Sequence, residues 1–457
     1  TSQRKILYGC FKRNLRSEVK VAQLAGYISE HSAYHHGEMS LHGAMIGMAQ
    51  DFVGSNNINL LYPGGQFGTR IQGGKDSASP RYIHTRLESI TDILFNKHDN
   101  EILNYLDDDG YKVEPEYYMP ILPMVLVNGC QGVGTGFSTY IPCYNPEQIC
   151  QYLINKIDGK EVFDLEPYYQ GFQGDIIKLD ENSFMTRGKY RITNYKSIEI
   201  YELPIGTWTD CYKEFLEELC DDTQLKKKKD SKVKESMIKD YVNNSTESTV
   251  SFTIEFKQNI LKELLKENRL EKELKLTSKI STTNMHLFNH KCQIKKYTVH
   301  EIMDEFYMIR HQFYVQRKEH MLNTLEQILK VLNEKVRFIN DVINEDIIIN
   351  KRSKDDINQQ LEQRQYLKVD DEYKYLVSMP IYSLSSEKKE ELENEAAKKN
   401  EEFNELQGTS VETMWKSELE EFKIKYHEFL SKKEKDQEVP KVGASKTKKK
   451  ITRKRNK

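Results

Sequence analysis

Apolar positions Val19, Val21, Leu24, Ala25 and Ile28 recur at helical spacing. Ser32 to Gly37 interrupts them, and Leu41, Met45, Met48, Ala49 and Phe52 resume along one face. Helix, short break and helix is the layout of a helix-turn-helix, whose second helix can enter a major groove; ordinary helical packing gives the same pattern. Ile58 to Tyr62, the turn Pro63-Gly64-Gly65 and Gln66 to Arg70 then predict a hairpin, or wing, with Arg70 near its base. From about residue 126 to 280 the pattern shortens to β-rich stretches such as Ser251 to Phe256. A Lys-rich segment, Lys226 to Lys239, interrupts them and reads as a solvated insertion. Leu322, Leu325, Leu329, Leu332, Val336, Ile339 and Ile343 form a heptad seam, and Leu419, Phe422, Tyr426 and Phe429 alternate in the same way. Between them lies a polar stretch, Asn350 to Asp370, followed by the apolar Tyr375 to Pro380. Two long helices running out and back around a small distal knot, an antiparallel coiled coil, fit this order. The boundaries so drawn are 1–125, 126–280, 281–433 and a disordered basic tail at 434–457.

Composition supports several domains in an elongated, helix-rich chain: of 457 residues, 30% are charged and only 38% hydrophobic. The formal net charge of -2 conceals local asymmetry, because residues 441–457 hold nine Lys or Arg and no Asp or Glu. The seven cysteines are odd in number and lack a C-x-x-C pair, which argues against a disulfide framework or a zinc site and for a reducing compartment. No apolar run approaches the ~20 residues that span a bilayer, so no membrane partner is expected. The opening Thr1-Ser2-Gln3, without an initiator Met, suggests a piece of a longer polypeptide.

Several site types are absent. No G-x-x-x-x-G-K-[ST] occurs, and Gly129, Gly132, Gly134 and Gly136 do not space as G-x-G-x-x-G. Asp107-Asp108-Asp109-Gly110 reads as a solvated turn rather than a metal site. Gly73-Gly74-Lys75-Asp76-Ser77-Ala78-Ser79-Pro80-Arg81-Tyr82 is different in kind. Two glycines permit close backbone approach, Lys75 and Arg81 are cations, and Tyr82 adds a phenol. A phenol, with a reference pKa near 10, is a weak nucleophile unless a base, cation or metal favours its deprotonation. An adjacent Arg can stabilise the phenolate and the charge of a phosphoryl transition state. The dipeptide alone fits a structural tyrosine as well as a nucleophile.

Lys5 to Leu15, Lys20 to Tyr27, Ser29 to Glu38, Ala49 to Asn57 and the tyrosine stretch together resemble the breakage–reunion region of eukaryotic type IIA DNA topoisomerases. Pro120 to Gly129, Glu202-Leu203-Pro204, Ile294 to Tyr297 and Arg317-Lys318 extend the resemblance, with gaps, from about residue 5 to residue 430. It implies an α+β multidomain fold: a winged-helix domain, a β-rich tower domain, and a long antiparallel coiled coil ending in a small helical dimer gate. It also implies a transesterification in which Tyr82 is the nucleophile and Arg81 stabilises the phosphate. His36 would hydrogen-bond near the scissile phosphate, with general-base work left open, and His35 would be structural. Lys12, Arg13 and Lys20 fit contacts to the DNA backbone, Lys75 adds a further cation, and Val133 stands where the family wedges isoleucine between base pairs. Met39 and Ser40 lie where cleavage-stabilising drugs are expected to touch.

The resemblance has departures. The family's acidic Glu-Gly-Asp-Ser type motif for Mg²⁺ does not occur here, and the ATPase region is missing. Mg²⁺ and ATP are thus expected on domains outside this chain, which alone should cleave poorly. Double-stranded DNA and a second copy of the chain are the expected partners, in the nucleus, with the basic tail serving import or loose DNA contact. The rivals are a bacterial-type enzyme of the same family, a DNA-binding module with a structural Tyr82, and a coiled-coil scaffold. The missing C-terminal β-repeat region and the basic tail stand against the first of these.

Overall fold

The computed structural model describes residues 1–220, 236–380 and 385–438 of a mixed α/β chain. Helices α1 (Ser2–Lys12), α2 (Val21–His31) and α3 (Glu38–Ala49) pack on one another and bury Ile6, Leu24, Ile28, Leu41 and Met45. The crossing is close at Gly9, where an added Cβ would lie 2.6 Å from Ile28 Cγ1. The two helices predicted from periodicity are present.

The predicted hairpin between 58–62 and 66–70 is not. Residues 60–64 pair instead with 84–88: Tyr62 N donates to Arg86 O (2.9 Å) and Glu88 N to Leu60 O (3.0 Å), while Gly64 and His84 exchange both bonds (2.9 and 2.8 Å). Strand β1 (Val19–Lys20) joins the edge through β2 (His84–Thr85). Pro63-Gly64-Gly65 has turn composition, yet Gly64 serves a close strand crossing, since a Cβ there would meet His84 O at 2.8 Å. Residues 65–83 consequently leave the sheet as one long loop.

The core around these helices continues past residue 125. It runs through the hairpin β3 (Cys130–Gly134) and β4 (Phe137–Ile141) into α4 (Pro146–Ile157). One polar hub is buried within it. Asn57 Nδ2 donates to the carbonyls of Val127 (2.9 Å), Tyr144 (3.0 Å) and Tyr168 (3.1 Å), and its Oδ1 accepts from Gln170 N (2.8 Å). Asn57→Ala strands these buried groups and should destabilise the fold by about 2–4 kcal/mol, read from urea melts. A loss below about 0.5 kcal/mol, the scale of a neutral surface change, would contradict this account.

A second core lies under a four-stranded antiparallel sheet. It contains β5 (Lys189–Asn194), β6 (Ser197–Glu202), β7 (Ile238–Asn243) and β8 (Phe252–Phe256), in the order β7-β8-β6-β5. Phe252, Ile254 and Phe256 point inward by the period of two and meet Tyr212 and Leu216 of α5 (Thr209–Cys220). Most of the Lys-rich segment, residues 226–235, lies outside the described residues, as does the basic tail from 439 onward, whereas Ile238 and Lys239 already belong to β7. Asp109 and Gly110, both left-handed (φ 52° and 83°), make the tight turn of a separate hairpin.

The long helix α6 (Val299–Ile343), opened by a Thr298/Glu301 capping box, pairs with α7 (Ser386–Gly408). Leu332 and Ile339 meet Leu392 there, and a distal cluster gathers Ile347, Leu361, Tyr366, Tyr373 and Leu376 around Phe338. The returning partner is therefore α7. The alternating Leu419, Phe422, Tyr426 and Phe429 lie on α8 (Val411–Glu438) and pack into the first core with α4, where Cys150 Sγ donates to Leu419 O (3.3 Å).

Candidate active site and nucleic-acid interface

Helix α2 has no side-chain cap at Lys20, so its first amides must find other acceptors. Val21 N donates to Ile83 O and Ala22 N to Pro80 O, both at 3.1 Å. Tyr82 N closes the turn onto Ser79 O (2.9 Å). Residues 80–83 thereby cap α2 through their backbone, and the Arg81 and Tyr82 side chains are left outside, with Tyr82 77% exposed. The phenol has no hydrogen-bonding neighbour among the described residues.

The upstream half of the loop is held by three left-handed glycines and their contacts: Gly68, Gly73 and Gly74 have φ of 100°, 64° and 83°. Gln50 Nε2 donates to Phe67 O (2.9 Å) and Gly74 O (3.1 Å), and Asp76 accepts from Thr69 N (2.9 Å) and Thr69 Oγ1 (2.5 Å). Lys75 faces solvent beside this knot. Arg70, read from the sequence as a cation at the base of a wing, is buried in an ion pair with Glu202 (2.5 Å), which also accepts from Leu203 N and Gln173 N. The partner's motif, Glu202-Leu203-Pro204, was visible in the sequence, but nothing linked it to Arg70.

The remaining candidates divide into groups. Lys20 pairs with His84 in the β1–β2 register, which brings it beside the Tyr82 segment. Lys12 and Arg13 are exposed where α1 ends, and the Arg13 guanidinium lies 5.1 Å over the Tyr27 ring, itself stacked on His31 at 4.0 Å. His36 is exposed on the α2–α3 connection with its ring against Tyr34 (5.6 Å) and His35 (5.0 Å). No hydrogen bond, ion pair or ring contact among the described residues joins His36, Arg81 and Tyr82 to one another. Val133 stands at the end of the β3–β4 hairpin, opposite Ser138 and 90% exposed, with Phe137 also exposed on the other strand. Asn284 O braces that hairpin by accepting from Tyr140 N (2.8 Å).

A phenol flanked by a guanidinium, on a backbone-anchored loop and open to solvent, suits attack on a phosphoester. Thiols are poorer candidates: burial pushes Cys10, Cys143 and Cys150 each up to about 12. Among the described residues no three His, Cys, Asp or Glu side chains converge as metal ligands, and no helix is long and apolar enough to cross a membrane. These residues do not by themselves fit a Mg²⁺ site, and no step below is routed through one.

A family model for the A chain of DNA gyrase/topoisomerase IV matches residues 1–420. The chain is 39% identical to DNA topoisomerase 2 of Plasmodium falciparum (isolate K1 / Thailand), over 92% of this chain and 32% of that protein. It is 40% identical to DNA topoisomerase 2 of Pisum sativum, over 92% of this chain and 31% of that protein. The crystal structure of the Plasmodium falciparum topoisomerase II DNA-binding, cleavage and re-ligation domain superposes with a TM-score of 0.88 at 40% identity, covering 96% of this chain and 62% of that one. The chain spans about a third of the length of the curated relatives it matches. With its motifs, its fold and a family model in agreement over nearly its whole length, the chain belongs to the type IIA DNA topoisomerase family, on the side of the eukaryotic topoisomerase II proteins.

Proposed function

We propose that this chain is the DNA-binding, cleavage and religation portion of an ATP-dependent type II topoisomerase that acts as a nuclear homodimer. Helices α2 and α3 with the 60–64/84–88 sheet form its winged helix within 1–125, the β-rich part of 126–280 its tower, and α6 with α7 its coiled coil and gate within 281–433. The basic tail, 434–457, serves nuclear import or loose DNA contact. The observation that carries the reading is the exposed Tyr82, set beside Arg81 by backbone bonds to the start of α2.

The Tyr82 oxygen attacks a DNA phosphorus as the phenol proton departs. The P–O3′ bond breaks, a 5′-phosphotyrosyl bond forms, and the 3′ oxygen takes up a proton. One phosphoester replaces another, so religation runs the same step backwards without an energy source. Arg81 stabilises the charge on the equatorial oxygens, and His36 hydrogen-bonds near the scissile phosphate. Lys12, Arg13, Lys20 and Lys75 neutralise backbone phosphates without reading sequence. Two copies of the chain cut opposite strands and a second duplex passes between them. Mg²⁺ and ATP belong to the same proposal as cofactors held by other parts of the polypeptide.

The test is to quench the full-length protein on supercoiled plasmid with detergent and map the adduct. The expected product joins a 5′ DNA end to the peptide holding Tyr82; a 3′ linkage, or attachment to another residue, would refute the assignment. Val133 is the proposed wedge. Because it is 90% exposed, Val133→Ala should leave the melting temperature unchanged while reducing DNA bending measured by end-to-end energy transfer. Unaltered bending would remove Val133 from the interface.

A further inference from the structure

The loop that carries Tyr82 is held from the β-rich unit as well as from α2. Residues 70–73 run along the start of α5: Asp210 N donates to Ile71 O (3.0 Å), Thr209 N to Arg70 O (3.4 Å), and Gln72 Nε2 to Asp210 Oδ2 (2.9 Å). The first amides of α5 thus find their acceptors in the loop, as those of α2 do at its other end. Immediately before α5, the Trp208 indole covers Gly73, where an added Cβ would fall 2.3 Å from ring atom Cε2. The same ring reaches the next segment of the first core, lying 3.3 Å from a Cβ built on Gly54 and meeting Phe52 edge-on at 5.8 Å. The buried Arg70–Glu202 pair adds a charged tie to the end of β6.

A nucleophile must be held within a fraction of an ångström of its in-line position, and a misplacement of 1 Å can cost two orders of magnitude in rate. The α2 amides fix only residues 80–83. The glycine-rich half of the loop has intrinsic freedom, and Trp208 with Asp210 removes it from the other side. We infer that Trp208, assisted by Asp210, is a positioning residue for phosphoryl transfer: the β-rich unit sets the placement of the cleavage loop. This rests on the reading of Tyr82 as the nucleophile.

The experiment uses the full-length protein with plasmid and Mg²⁺, measuring the single-turnover rate of covalent adduct formation at saturating DNA alongside DNA affinity. The variants are Trp208→Ala, Trp208→Phe, Asp210→Ala and Tyr82→Phe. Trp208→Ala should form adduct about 10–100-fold more slowly with affinity and melting temperature unchanged, and Trp208→Phe should recover most of the rate. Asp210→Ala, which removes one partly exposed hydrogen bond, should slow the step by about threefold. Wild-type rates in Trp208→Ala and Asp210→Ala would overturn the inference, as would a rate loss matched by an equal loss of affinity. If Trp208→Ala does not fold, Asp210→Ala decides by the same criterion. Tyr82→Phe separates the two failures: an adduct that persists there sinks the nucleophile assignment, whereas loss of adduct there with a normal rate in Trp208→Ala sinks only the brace.

Discussion

Tyr82→Phe is expected to abolish the covalent DNA adduct and to lower plasmid relaxation by roughly 10⁴-fold or more, the scale on which loss of a catalytic nucleophile acts. The substitution removes one oxygen and nothing else. That oxygen has no hydrogen-bonding neighbour among the described residues and the side chain is 77% exposed, so folding should be untouched to within about 0.5 kcal/mol. The bonds that place the residue, Ala22 N to Pro80 O and Val21 N to Ile83 O, are made by backbone and survive the change. DNA affinity should persist as well, because it depends on cations such as Lys12, Arg13 and Lys20 and falls with added salt. Catalysis and binding are therefore separable in a single variant. Detergent-quenched adduct, relaxation and a binding isotherm would be measured on the same preparation. A Phe variant that still captured DNA covalently would remove Tyr82 from the chemistry and direct the search to another nucleophile.

The elements legible in the sequence were those whose partners are near in the chain or whose apolar face is complete. Helices 21–31 and 38–49 sit under the predicted runs because each buries one full face. Residues 58–70 misled for a physical reason: Gly64 has the composition of a turn but the task of letting His84 pass close by, and the partner strand at 84–88 lies beyond the looped-out residues 65–83. The seam on α6 was readable, but its partner was not. Helix α7 is mostly Glu, Lys and Asn and offers Leu392 to the contact, while the stronger alternation at 419–429 serves the first core. At the site, Tyr82 stood out through its motif and the resemblance that motif carries, because Arg-Tyr alone marks nothing. Its exposure and its backbone anchoring to α2 are tertiary facts. So is the burial of Arg70 against Glu202, a pairing across more than a hundred residues that no local window can contain.

Arg310→Ala should destabilise the fold by about 3–5 kcal/mol, because it leaves a buried carboxylate without its partner. Arg310, fully buried on α6, donates through Nη1 to Asp99 Oδ2 and to Met119 O, both at 2.7 Å. Arg317, two turns further along the same helix, pairs with Glu418 of α8 and lies 3.4 Å from Asp99 Oδ1. Tyr314 lies between the two guanidinium groups, 4.2 and 4.4 Å from its ring, and donates its hydroxyl to Glu418 Oε2 (2.6 Å). Two cations and two carboxylates thus balance where α6, α8 and the 96–99 turn meet. The balance is incomplete in hydrogen bonds, since Arg310 Nε and Nη2 have no hydrogen-bond acceptor among the described residues. Desolvation of such a group is expensive, so the node stabilises less as a whole than it loses when broken. This asymmetry yields the sharper test. Arg310→Met combined with Asp99→Leu removes both charges and should restore a substantial part of the stability lost in Arg310→Ala, as urea denaturation midpoints would show. If the single variant lost less than about 1 kcal/mol, the scale of an exposed ion pair, the node would be no stronger than one at the surface. If the double variant lost the sum of both singles, Arg310 and Asp99 would be acting independently and the pairing would have no energetic content. Because α6 runs on from this point to pair with α7, a loosened node also frees the root of that helix pair, and hydrogen exchange should rise first at residues 310–317.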